Sequence, residues 1–221
     1  MQRSVSIVSL LLFSFAVAFG FLPATSGAFQ ENIDSADLIS TLDDCIQKRF
    51  LDVDQGFGFR RIIRSGDTPH RFKPENAREL SIVGYMSKVK LDVVLYLGGR
   101  NLLEPRTETT GINHNVGKLI KGPVFITDSD RRVTGSPTVL ELMEHGQKAM
   151  RVFQKSDAYN FAIREWKIIA RPVRASDASC LKCHHSDEIN IFPETKVGQE
   201  SRKLKISDPL GVVLYAYRSG Q

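Results

Sequence analysis

The sequence predicts an α+β fold built on an antiparallel sheet with flanking helices, and three observations carry that expectation. An amphipathic helical repeat opens the part after the leader. Five or six short stretches rich in strand-forming residues follow, separated by turn signals. Two further helical patterns lie between hairpin-like pairs of those stretches. Strands that pair with near neighbours, with helices set between the pairs, assemble as α+β rather than as a parallel sheet of alternating units.

Taken in order, residues 32–50 place Ile33, Leu38, Ile39, Leu42, Ile46 and Phe50 at mostly helical spacing, with Ser35 or Asp37 as the cap. Residues 56–64 read as a short strand or loop, and residues 65–69, Ser-Gly-Asp-Thr-Pro, as a turn. Pro74 with Glu75 and Glu79 marks the first turn of a helix running to about Lys88, since proline and acidic side chains suit the positive end of the helix dipole. Residues 91–97 are strand-like and stop at Gly98-Gly99.

Residues 122–133 read as a strand, a polar turn and the start of a second strand. A helical pattern returns at residues 137–154 through Val139, Leu140, Leu142, Met143, Met150 and Phe153, capped by Ser136. Residues 160–166 and 167–173 read as two strands. Residues 201–206 and 211–218 close the chain as two more, joined by a turn at Ser207-Asp208-Pro209.

Residues 1–28 read as an export signal and not as fold. Arg3 supplies the positive flank, residues 5–21 are almost wholly apolar, and Ser26-Gly27-Ala28 offers small residues for cleavage after Ala28. The alternative is an uncleaved anchor, because the run approaches the length needed to span a bilayer. Export to the periplasm, or otherwise out of the cytoplasm, is expected. Residues 29–221 are then a single domain, with a helical and mixed part over 29–121 and a second part over 122–221.

The 221 residues carry a formal charge of +5, but the basic residues are scattered among carboxylates and form no block, which argues against nucleic acid as a partner. The three cysteines are Cys45, Cys180 and Cys183. An odd number in an oxidising compartment argues against a disulfide framework and leaves at least one thiol to be explained by burial, pairing between chains or ligation.

Cys180-Leu181-Lys182-Cys183-His184 is the sequence of a c-type haem attachment site. Two intervening residues put the sulfurs one helical turn apart, so both reach the vinyl groups on one edge of a haem while His184 meets the iron from below. A zinc site would need a second ligand pair, and the chain has no other Cys-x-x-Cys and no His-x-x-x-His. A thioredoxin-type pair belongs early in a fold of alternating strands and helices. A plain disulfide leaves His184 without a role. The motif and the export signal agree, because haem c is attached outside the cytoplasm. One covalent haem c, held by Cys180, Cys183 and His184, is therefore expected. Upstream, Arg171 or Arg174 could pair with a haem propionate, a surface arginine being the alternative reading.

The sixth ligand decides between a closed site suited to electron transfer and an open one that binds small gases. Cys45, His70, His114, Met86, Met143, His145 and Met150 are chemically able, and sequence spacing does not rank them. Cys45, the odd thiol beside the apolar face of the first helix, stands out, with simple burial as the alternative.

The C-terminal half, from about Gly122, resembles the extracytoplasmic c-type-haem sensor domains with a PAS-like fold. The matching residues are 123–128, Ala170-Arg171-Pro172-Val173 leading into the haem motif, and Ser207-Asp208-Pro209-Leu210-Gly211-Val212-Val213, with Ser207 standing where a glycine is expected. The resemblance implies one haem against an antiparallel sheet, Cys180 and Cys183 as attachment points and His184 as proximal ligand. A ligating cysteine from an N-terminal helix would map onto Cys45.

Two functions follow as expectations. One is a monohaem electron carrier, not an enzyme, working with a redox partner protein. The other is a haem-based redox or gas sensor acting through a separate membrane partner.

Overall fold

The computed structural model describes residues 34–52, 58–63, 69–99, 102, 120–127, 133–183 and 204–220, with the side chains of residues 182 and 183 outside that description. The expected export signal, the polar turn at 65–68, His114 and His184 lie outside it too. Ile33–Gln221 forms one compact unit. No helix among the described residues is long and apolar enough to cross a membrane.

Four helices and five strands are described. Helix α1 (Ser35–Leu51) is followed by a 3-10 turn at Gly58–Arg61, then α2 (Ala77–Lys88), β1 (Leu91–Gly99), β2 (Ile120–Phe125) and α3 (Val139–Val152). Strands β3 (Tyr159–Ile163) and β4 (Trp166–Arg174), the short α4 (Ala178–Cys183) and β5 (Pro209–Ser219) complete the chain. The strands form an open sheet in the order β2-β1-β5-β4-β3, and every neighbouring pair is antiparallel. The architecture is α+β and is compatible with a PAS-like fold.

Strand β5, last in the chain, is the middle of the sheet and is buried from Pro209 to Tyr217. Its odd-numbered residues Val213, Tyr215 and Tyr217 face one core, with Val93 and Leu95 of β1 and the apolar stripes of α1 and α2. Its even-numbered residues Val212, Leu214 and Ala216 face the other, with Tyr96, Trp166 and α3. Helices α1 and α2 therefore cover one face and α3 the other. Within the first core Ile39, Leu42 and Ile46 are fully buried, and each such side chain contributes about 1.5–3 kcal/mol. Backbones approach closely where β1 meets β5, for a Cβ added at Gly211 would lie 2.6 Å from the Gly98 carbonyl oxygen.

An ion pair ties α1 to α2. Arg49 donates from Nε to Glu79 Oε1 at 2.9 Å and from Nη2 to Glu79 Oε2, and it also holds the carbonyls of Arg61 (3.0 Å) and Lys73 (2.7 Å). Both side chains are buried, and the guanidinium stacks on Phe72 at 4.8 Å. Two-pronged geometry and extra carbonyl acceptors offset the desolvation that a buried pair incurs.

Several local expectations are corrected. Asp34, not Ser35 or Asp37, caps α1, its side chain accepting from the Ala36 amide. The second helix starts at Ala77 under an Asn76 cap, three residues after Pro74. Residues 58–61 form a 3-10 turn. No strand begins at Val133: residues 134 and 135 turn, and Trp166 Nε1 donates to the Gly135 carbonyl at 2.8 Å, so the apolar valine packs at a turn. Thr138, not Ser136, caps α3 through a reciprocal capping box with Glu141. Residues 204–206 are not a strand, because the backbone there folds back, with Lys205 N bonded to Asp208 Oδ2.

Candidate functional site: the attachment helix and its cleft

Strand β4 leaves the sheet at Arg174, and Ala175, Ser176 and Asp177 lead into α4. Asp177 Oδ1 accepts from the Ser179 amide (2.6 Å), the Ser179 hydroxyl (2.6 Å) and the Cys180 amide (3.4 Å). These bonds to Ser179 and then Cys180 hold the Asp177 carboxyl below its ordinary value. The cap starts a helix over Ala178–Cys183, which sets Cys180 and Cys183 one turn apart.

Cys180 is a half-buried free thiol with Sγ 3.5 Å from the Ser176 hydroxyl. Burial raises it, but the hydrogen bond with Ser176 and the amides of Asp177 and Ser176 prevail and keep it below its ordinary value. A thiol so placed is more readily ionised, and thus more nucleophilic, than a buried structural one.

Beside α4 a cleft of about 420 Å³ opens between α1 and the end of β4. Ser40, Asp43, Asp44, Gln47 and Leu51 form its helical wall. These positions recur at three- and four-residue spacing, beside the stripe that packs on the sheet. The opposite wall is Arg171, Pro172, Arg174, Ala175 and Ser176, with Asp157 and Ser207 beside them. Helix and sheet are joined at the base, where Gln47 Nε2 donates to the Pro172 carbonyl (3.1 Å) and to Asp43 Oδ1 (3.0 Å). Burial raises the Asp43 carboxyl in spite of the hydrogen bonds from Tyr215 and Gln47 and the charge of Arg171.

The two arginines differ. Arg174 is committed on every nitrogen: Nε and Nη2 donate to Asp157 Oδ1 (3.0 and 2.6 Å), Nη1 to the Ser207 carbonyl (2.8 Å), and Nη2 also to the carbonyls of Phe153 (2.9 Å) and Ser156 (3.1 Å). It stitches the turn after α3 to the end of β4. Arg171 makes one long contact, Nη1 to the Asp157 carbonyl at 3.3 Å, and its buried Nε has no hydrogen-bond partner.

The remaining candidates are dispersed. Cys45 is buried on α1 but lines a separate hollow of about 430 Å³ with Lys48, Arg49, Asp52, Glu75, Asn76, Arg78 and Glu79, all from α1, α2 and the stretch between them. Burial pushes its thiol up. His145 sits on α3, over the other face of the sheet, stacked on Phe161 at 4.1 Å with planes 3° apart, and its Nδ1 lies 3.4 Å from the Tyr159 hydroxyl. Met86 is buried in the first core, and Met143 and Met150 in the second. His70 is exposed and meets the Phe59 ring edge-on. Among the described residues no three His, Cys, Asp or Glu side chains group as a metal site.

Sequence reasoning missed Asp43, Ser176 and Asp177. Asp177 had a local signal, an aspartate two positions before a serine at a helix start. Asp43 had none, since its partner Tyr215 is 172 residues away. No family model, curated protein or solved structure matches the chain.

Proposed function

We propose that this chain is an exported monohaem c-type cytochrome whose task is electron transfer, with Cys180 and Cys183 as the thioether positions and His184 as the axial ligand. The observation that carries the reading is Cys180-Leu181-Lys182-Cys183-His184, with both cysteines within one turn of α4. The surroundings suit such a group: Cys180 is a free thiol whose hydrogen bonds hold it below its ordinary value, and a cleft with an unpartnered guanidinium nitrogen lies alongside. Haem c bound there would supply an iron that cycles between ferric and ferrous states. The chain's part is to hold it beside the end of β4. The companion proposals are cleavage after Ala28, a periplasmic location and a redox partner protein.

The test is the optical spectrum of the ferrous protein, made in a host that attaches haem c, before and after carbon monoxide. A covalent c-type spectrum unmoved by carbon monoxide supports an electron carrier. Absence of covalent haem overturns the reading. Cys45→Ser measured alongside assigns the sixth position to Cys45 if it alone makes a closed site responsive.

The second reading, a redox or gas sensor with a separate membrane partner, draws on the five-stranded order compatible with a PAS-like fold. A ligand shifts such a domain only by its differential affinity for two states. A shifted Soret band on adding carbon monoxide would favour it.

A further inference from the structure

Two arginines face the cleft beside α4, and only one has capacity left. The five hydrogen bonds of Arg174 reach Asp157 and three backbone carbonyls, so moving it would undo the turn that ends β4. Arg171 shares its side of β4 with Ile169 and Val173, which pack in the core under α1. Its Nε is buried without an acceptor, and among the described residues no carboxylate lies within ion-pairing distance of it. Of the other carboxylates that line the cleft, Asp43 accepts from Tyr215 and Gln47 through Oδ1, and Asp157 accepts from Arg174 through Oδ1. A buried N–H on a charged group left without an acceptor is unfavourable, because its lost hydration is not replaced. The arrangement is explained if an acceptor from outside these residues completes it.

The place of Arg171 says what that acceptor is. Ser176 lines the same cleft and touches Cys180 Sγ, so a group tethered at Cys180 starts at the rim of the cleft. A planar guanidinium presents Nε and one Nη as a fork that fits a carboxylate. We propose that Arg171 forms this two-pronged pair with a propionate of the haem held by Cys180 and Cys183, while Arg174 is a structural clamp and takes no part. The inference rests on the haem reading above. It assigns Arg171 as a positioning residue that also places a positive charge beside the redox group and so favours its ferrous form.

The experiment is spectroelectrochemistry with resonance Raman on the purified holoproteins of wild type, Arg171→Gln, Arg171→Lys and Arg174→Gln. Covalent haem is first verified in wild type by its alkaline pyridine spectrum. Without covalent haem in wild type the haem reading itself falls, and the inference with it. With haem present, Arg171→Gln is expected to shift the ferrous-to-ferric equilibrium about tenfold toward ferric, about 59 mV for a one-electron couple, and to move the propionate bending band. Arg171→Lys keeps the charge and loses the fork, so the band moves while most of the potential is retained. Arg174→Gln is expected to melt earlier with its potential and band unchanged. Haem attached normally with potential and propionate band unchanged in both Arg171 variants would overturn the assignment, as would the band shift following Arg174 instead. If Arg171→Gln does not fold, the band of Arg171→Lys decides the matter alone.

Discussion

The Tyr215 hydroxyl, on the central strand β5, donates to Asp43 Oδ1 on α1 across 2.7 Å. Tyr215 is fully buried, and the same carboxylate oxygen accepts from Gln47, which in turn holds the Pro172 carbonyl of β4. One oxygen thus joins the first helix to the last strand and to the strand that leads into α4. The wall of the cleft is held in place by this contact.

Removing the hydroxyl leaves the ring in the core and Asp43 without its shortest donor. Tyr215→Phe is expected to lower stability by about 1–3 kcal/mol, read from urea unfolding. In a double-mutant cycle with Asp43→Asn the losses should fall short of additive, because the two groups share one bond. Additive losses would mean that the bond contributes nothing.

Glu79 governs the acid limb of stability. Burial alone would raise its carboxyl, but the hydrogen bonds from Arg49 and from the Glu75 amide prevail and hold it below its ordinary 4.5. The native state therefore binds fewer protons than the unfolded state below that value. Its contribution is complete above the ordinary value and is lost as pH falls through the lowered one. Glu79→Gln should cost about 3–5 kcal/mol at neutral pH by leaving Arg49 buried with only the 3.9 Å contact to Glu75 as an ion pair, and should flatten the acid dependence in denaturant titrations at several pH values. An unchanged acid slope would remove Glu79 from this role.

Gly211 sits where β5 passes β1 most closely. Gly211→Ala drives a methyl group against the Gly98 carbonyl, 2.6 Å away, and should lower stability by about 1–3 kcal/mol. Calorimetry of the full chain reads this directly. Gly84→Ala, where nothing lies within 4 Å on a helix, is the comparison and should be neutral or stabilising.

His145, on α3, is stacked on Phe161, while the cleft beside α4 opens on the α1 side of β4. His145→Gln is therefore expected to leave the ferrous spectrum of the holoprotein unchanged, with and without carbon monoxide. A Soret shift in that variant would place His145 at the iron.

Much of the fold was legible because its signals are local. The α1 stripe of Leu38, Ile39, Leu42 and Ile46 marks a helix whatever it packs on, and those four residues are buried as the spacing implies. The two strands over residues 160–173 were legible for the same reason, but the turn at residues 164 and 165 that divides them was not, and Trp166 belongs to the second strand, not the first. The lone Val133 after a polar turn and the residues at 204–206 misled because short stretches carry little pattern. At both places a side chain, Trp166 or Asp208, captures backbone groups that a strand would have used.

By itself the sequence determined the cysteine spacing, the helical stripes and the alternation of β5 into two faces, since each depends on residues a few positions apart. Tertiary structure alone decided that the last strand lies at the centre of the sheet and that Arg174 is saturated while Arg171 is not. It also decided that Cys45 faces α2 and that Asp43 meets Tyr215. Those outcomes hang on partners up to 172 positions away. A buried donor or carboxylate takes its partner from whatever the packed sheet brings within reach, and no local pattern specifies that partner.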